Sequence, residues 1–319
     1  AYNNTLVESW SVTLDTPAPN PPTLPTGEIV KADLYRGLNQ PLNIEWSPDG
    51  SNVYIGEKAG VIRVSREGGP LTTVLDISAQ VNNVQDRGLV DFEIHPDLEN
   101  NPYIYLNYTV DPPEVFNPVG NPLAGPDGSG NRAGRLVRYT LDASTNYTTV
   151  VGGSEVVLLG SNSTWNNFNA FTDSTLNFGE PPAGLNPDGT YIDDFINSDS
   201  RSHTVGGLAF GNDGALYVGI GDGASFNQTD TRALRVQDIN SLSGKILRID
   251  PETGQGLSDN PFYNGDPNAN RSKVYQLGLR NPWRLSSDPD TARNNNGETR
   301  IDRYEAINPA VHSTNYVST

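Results

Sequence analysis

A unit repeated at irregular intervals constrains this chain more than any other feature. It consists of a short strand of alternating apolar residues, a turn of Pro, Asp, Asn and Gly, a second strand, an insertion, and a third strand opened by Gly that carries Ile or Leu and then Arg. The first copy runs Ile44-Glu45-Trp46, Ser47-Pro48-Asp49-Gly50, Val53-Tyr54-Ile55 and Gly60-Val61-Ile62-Arg63-Val64. The second runs Phe92-Glu93-Ile94, His95-Pro96-Asp97, Tyr103-Ile104-Tyr105-Leu106 and Gly134-Arg135-Leu136-Val137-Arg138. In the third, Leu208, Phe210, Leu216, Val218 and Ile220 alternate around Asn212-Asp213-Gly214, and Gly244-Lys245-Ile246-Leu247-Arg248 follows. A fourth starts at Trp283-Arg284-Leu285. Alternation around a tight turn marks a half-buried hairpin, and a hairpin met repeatedly is the unit of a β-propeller. The expected fold class is therefore all-β, a propeller over residues 29–319 with blades starting near 42, 90, 205 and 281. Residues 1–28, with the cluster Pro17-Ala18-Pro19-Asn20-Pro21-Pro22, are predicted to be a leader or linker. The longest insertion is expected over 155–200, where Asn, Ser, Thr, Gly and Pro prevail.

Composition narrows the function. The chain has 319 residues and a net charge of −17, which disfavours nucleic acid as a partner because that needs a basic face. It has no cysteine, so disulfides and thiolate metal sites are out. No apolar run of about 18 residues predicts a membrane span. The absence of Met predicts a processed chain or an excised piece of a longer one. Acidic, Asn-rich loops suit an extracellular, calcium-containing setting, although solubility alone explains the charge equally well. Six Asn-x-Ser/Thr sequons, at Asn3, Asn107, Asn146, Asn162, Asn227 and Asn270, are mostly what chance gives in such a composition.

The chain has three histidines, and His203 stands where a strand begins. In a propeller, inner-strand ends face the central opening where ligands bind. His95 reads as part of a blade turn and His312 as a surface residue. Asp222 or Asp213 could orient the His203 imidazole if the fold brings one of them close. Asp222, Asp230, Asp259, Asn260, Asn264, Asp266, Asn268 and Asn270 are oxygen-rich enough for Ca²⁺, but their spacing fits no EF-hand and turn chemistry accounts for them.

Four motifs resemble the soluble quinoprotein sugar dehydrogenases, the glucose/sorbosone dehydrogenase family. They are Leu42–Val64 with Gly56-Glu57-Lys58-Ala59-Gly60; Asp86-Arg87-Gly88-Leu89 through Tyr105; His203–Asp222; and Gly278-Leu279-Arg280-Asn281-Pro282-Trp283. The resemblance implies a six-bladed propeller that holds pyrroloquinoline quinone (PQQ) with calcium over its central opening and oxidises a sugar hydroxyl by hydride transfer. It implies that His203 is the general base and that Arg280 and Asn281 contact the quinone. It places Asp86 where well-known members carry a cofactor-contacting Gln. It also implies a sugar or polysaccharide ligand and a secreted, extracellular or periplasmic location.

Two departures qualify these expectations. Arg300 stands where the family's calcium loop has Gly, within Asn294–Asn308, and only four of six blade signatures are present. The chain is then a fragment, a ring that closes differently, or a sequence that has drifted from catalysis. The competing reading is a non-catalytic extracellular propeller used for adhesion, glycan binding or structural assembly.

Overall fold

A computed structural model describes residues 33–111, 127–168, 175–177, 179, 182–227, 229–287 and 299–301. The predicted leader at 1–28 and His312 lie outside them. So does the Asn294–Asn308 segment, except for three residues.

The described residues are nearly all strand, turn and loop, and the one α-helical segment is the four-residue Asn270–Lys273. The first antiparallel sheet has the order β1 (Pro41–Trp46), β2 (Asn52–Glu57), β3 (Val61–Arg66), β4 (Thr72–Asp76). The second is β5 (Leu89–Ile94), β6 (Tyr103–Val110), β7 (Arg132–Thr140), β8 (Val156–Leu159), with β9 (Ile196–Ser198) also paired to β7. The third is β10 (Val205–Phe210), β11 (Leu216–Ile220), β12 (Lys245–Ile249), β13 (Val274–Leu277). β14 (Leu285–Ser287) and β15 (Thr299–Ile301) form a two-stranded sheet in which Arg300 pairs with Ser286. Two strands, β8 and β9, fall inside the 155–200 segment.

The cores lie between sheets. Tyr54, Ile62 and Val64 of the first sheet pack against Phe92, Ile104 and Leu106 of the second. Val90, Tyr105 and Leu136 of the second pack against Leu208, Leu216 and Val218 of the third. The inner strands follow one another around an axis, with β5 against β1 and β10, and β10 against β14. Arg284, just before β14, confirms the radial arrangement: its Nη2 donates to the Leu42 carbonyl (3.0 Å) and its Nη1 to the Val90 carbonyl (3.1 Å). One guanidinium thus ties the start of the fourth sheet to the first and second. The molecule is a β-propeller in which hairpin alternation supplies each sheet with two packing faces. Ile44 and Trp46 are 39% and 43% exposed on the far face of the first sheet.

The inner strands also carry Glu45, Asp91 and Glu93. Burial pushes Glu45 up to about 7 and Asp91 up to about 6, and it raises Glu93 as well; Asp91 adds to the rise of Glu45, and Glu45 and Asp91 add to that of Glu93. Arg284 and the Leu208 and Phe92 N–H groups pull Asp91 partly back.

Lys245 fixes the loop between β11 and β12. Its Nζ donates to the carbonyls of Arg235 (3.2 Å), Val236 (2.9 Å) and Ser243 (2.8 Å), and burial pulls its pKa down to about 7.

Candidate active site

One end of the propeller gathers the segments that enter the inner strands β5, β10 and β14 and those that leave β2 and β11. His203 lies two residues before β10 and is 6% exposed. Its φ is 52°, in the left-handed region that few non-glycine residues adopt. Three contacts hold it there. The Gly223 N–H donates to its carbonyl (2.8 Å), the Gly221 N–H donates to the Thr204 carbonyl (2.6 Å), and a Cβ at Gly221 would collide with the His203 carbonyl.

The imidazole meets a carboxylate, with His203 Nδ1 3.1 Å from Asp222 Oδ1. A carboxylate only accepts, so the proton shared in this contact is on Nδ1, and in the neutral ring Nε2 is then the nitrogen with the lone pair. Asp222 also accepts the Ala224 N–H (2.9 Å). Of the two aspartates open at the sequence level, Asp222 is therefore the orienting one. Asp213 sits at the opposite end of the hairpin, where it accepts from Tyr217 (3.2 Å) and Arg248 Nε (2.8 Å).

Backbone contacts bring the other expected residues to the same end. The Asp222 N–H donates to the Arg280 carbonyl (2.8 Å). Next to Arg280, Asn281 Oδ1 is buried with no partner. Pro282 is seated on glycines, since a Cβ at Gly206 or Gly219 would strike its carbonyl. Asp86 arrives from the second sheet: its N–H donates to the Arg201 carbonyl (3.2 Å), and its carbonyl accepts from Thr204 Oγ1 (3.3 Å). Lys58, at the end of β2, donates to the Asn83 carbonyl (2.9 Å) and Oδ1 (2.7 Å). Burial lowers its pKa, and the nearby Asp86 and Asp127 oppose that shift. Lys58 was not singled out from sequence; its place directly after the β2 alternation was the available signal.

The oxygen-rich residues considered for Ca²⁺ are engaged internally. Asp230 takes both Nε and Nη2 of Arg232 (2.8 Å each), and Asp259 and Asn260 bind Arg248. Asn264 accepts from Ser272, Asp266 accepts the Asn268 N–H, and Asn270 bridges the Ile192 and Asn240 carbonyls. Among the described residues no three His, Asp or Glu converge in a metal-holding group, and no helix is long and apolar enough to cross a membrane.

The glucose/sorbosone dehydrogenase family model matches residues 38–155 and 190–316. The chain belongs to the glucose/sorbosone dehydrogenase family. Quinoprotein glucose dehydrogenase B of Acinetobacter calcoaceticus is 28% identical over 275 residues, covering 82% of this chain and 46% of that protein. Mouse Hedgehog-interacting protein is 24% identical over 268 residues, covering 80% of this chain and 31% of that protein. The chain thus spans less than half the length of these family relatives. Among solved structures, a Thermus thermophilus oxidoreductase described as a glucose dehydrogenase matches at TM-score 0.55 and 28% identity, covering 88% of this chain and 65% of that one. The PQQ-bound aldose sugar dehydrogenase of Streptomyces coelicolor matches at TM-score 0.57 and 19% identity, covering 90% and 65%, and shares the fold.

Proposed function

We propose that the protein is the site-bearing part of a quinone-dependent sugar dehydrogenase, with His203 as general base. The His203–Asp222 pair carries this reading. A buried imidazole with Nδ1 committed to a carboxylate leaves Nε2 to take the proton of a sugar hydroxyl. The electron pair of the broken O–H bond becomes the new C=O bond as the carbon gives up its hydride. PQQ, when bound, supplies the hydride acceptor.

The residues at the mouth fit such a group in part. Asn281 Oδ1 is an orphaned buried acceptor beside Arg280, and a polar ligand with a donor at that point would satisfy it, while a guanidinium suits the ligand's carboxylates. If Asp86 takes the place of the cofactor-contacting Gln, as the family resemblance implies, its carboxylate would repel a carboxylate-bearing quinone, and Lys58, which feels the Asp86 charge, would offset it. A sugar substrate and an extracellular or periplasmic location follow from the same reading; calcium is its least supported element.

The test is quinone titration by fluorescence, followed by sugar-dependent dye reduction with added Ca²⁺. Saturable binding and turnover support the reading, and absence of quinone binding ends it. Asp86→Gln should tighten quinone binding about tenfold by removing roughly 1.4 kcal/mol of like-charge repulsion. The second reading, a non-catalytic binding module, is favoured by the likeness to Hedgehog-interacting protein. It would be supported by a folded protein that binds no quinone even as Asp86→Gln.

A further inference from the structure

We infer that Arg87 is a positioning residue that holds the His203 segment at the mouth, an inference that rests on reading His203 as the base. The segment leaves β9 at Ser198, which is paired with Arg132 of β7, and must reach β10 at Val205. In between it has no strand partner, yet it presents a histidine in the left-handed conformation.

Arg87 is fully buried, with 0% of its surface exposed, at the turn before β5. Its two terminal nitrogens serve two different segments. Nη1 donates to the Gly130 carbonyl (2.8 Å), just before β7. Nη2 donates to the carbonyls of Ser198 (3.2 Å) and Ser200 (3.0 Å), five and three residues ahead of His203. The residue beside it continues the seam. The Asp86 N–H donates to the Arg201 carbonyl and the Asp86 carbonyl accepts from Thr204, so residues 86 and 87 together contact positions 198, 200, 201 and 204. The far side is closed by the third sheet, where Ser200 N–H donates to the Gly223 carbonyl (2.9 Å) and Gly223 N–H to the His203 carbonyl.

The guanidinium reaches the two segments with two separate terminal nitrogens; a lysine's shorter stem ends in one ammonium that reaches only one of them here. Arg87→Lys therefore keeps the charge and most of the volume while giving up the second segment. The imidazole then loses its registration with Asp222, and the reaction is slowed without a change in what binds.

The chain's three histidines make the test direct. Ring ¹⁵N–¹H correlation spectra of the full chain resolve His203 from His95, whose Nδ1 accepts the Asp97 N–H at the opposite end of the blade. In Arg87→Lys the His203 signals should shift and the Nδ1 proton should exchange at least about tenfold faster, with His95 unmoved. In quinone-loaded protein kcat should fall about 10- to 100-fold with KM within about twofold, the pattern of lost orientation. If Arg87→Lys does not fold, Arg87→Gln, whose single side-chain amide likewise cannot hold both segments, must shift His203 and spare His95. Unmoved His203 signals in a folded variant, or His95 and His203 moving together, overturn the inference. If the wild-type protein never oxidises sugar, the dehydrogenase reading fails while the spectra still decide the role of Arg87.

Discussion

Replacing His203 by alanine should cut sugar oxidation about 100- to 10,000-fold, the range expected when a positioned base is removed. Quinone affinity should stay within about threefold, because the imidazole is held by Asp222 and backbone rather than by the Arg280–Asn281 side of the mouth. Asp222→Asn is the sharper variant. It keeps the shape but can turn a donor toward Nδ1, which favours the tautomer with its proton on Nε2 and blocks proton uptake there. Its loss should approach that of His203→Ala. The measurement is steady-state dye reduction alongside quinone titration; wild-type turnover by either variant removes His203 from the chemistry.

Replacing Glu45 by glutamine should stabilise the protein at pH 8 by about 3 kcal/mol and leave it nearly unchanged at pH 4. In the folded state burial and Asp91 raise Glu45 from 4.5 to about 7, so the folded state binds more protons than the unfolded chain between those values. The stability this carboxyl permits is present below pH 4.5 and is lost as pH rises through 7. A raise of about 2.5 pK units at 1.36 kcal/mol each gives the figure. Glu93 and Asp91 face the same inter-sheet space, with Arg284 as the nearby cation, so the groups titrate together and Glu45→Gln also eases Glu93. Wild-type and variant unfolding curves compared across pH 4–8 check this. A constant difference with pH, or a less stable variant at pH 8, contradicts it.

Much of the framework was legible in sequence because it depends on local rules. Leu208, Phe210, Leu216, Val218 and Ile220 alternate as strands must, and Asn212-Asp213-Gly214 spells the turn between them. Position 203 stood out because a scarce titratable residue preceded such a strand. What was not legible depends on distant contacts. Arg87 and Arg132 are wholly buried, although arginine normally reads as surface. Glu45 and Glu93 occupy the polar phase of their strands and read as solvent-facing, whereas the next sheet covers them. β8 and β9, of four and three residues, are too short to carry a period and lay hidden in a segment that reads as loop. The preference for Asp222 over Asp213 is contained in one hairpin: antiparallel pairing sets Val205 opposite Ile220, which brings 222 beside 203 and leaves 213 at the far turn.

The left-handed backbone at His203 has an evolutionary consequence. Glycine would relieve about 1 kcal/mol of backbone strain there, but it would also strip the buried Asp222 carboxylate of its ring partner at a cost at least as large. A selection for heat tolerance run without an activity filter would therefore find no reward at this position, and the imidazole would persist in the survivors.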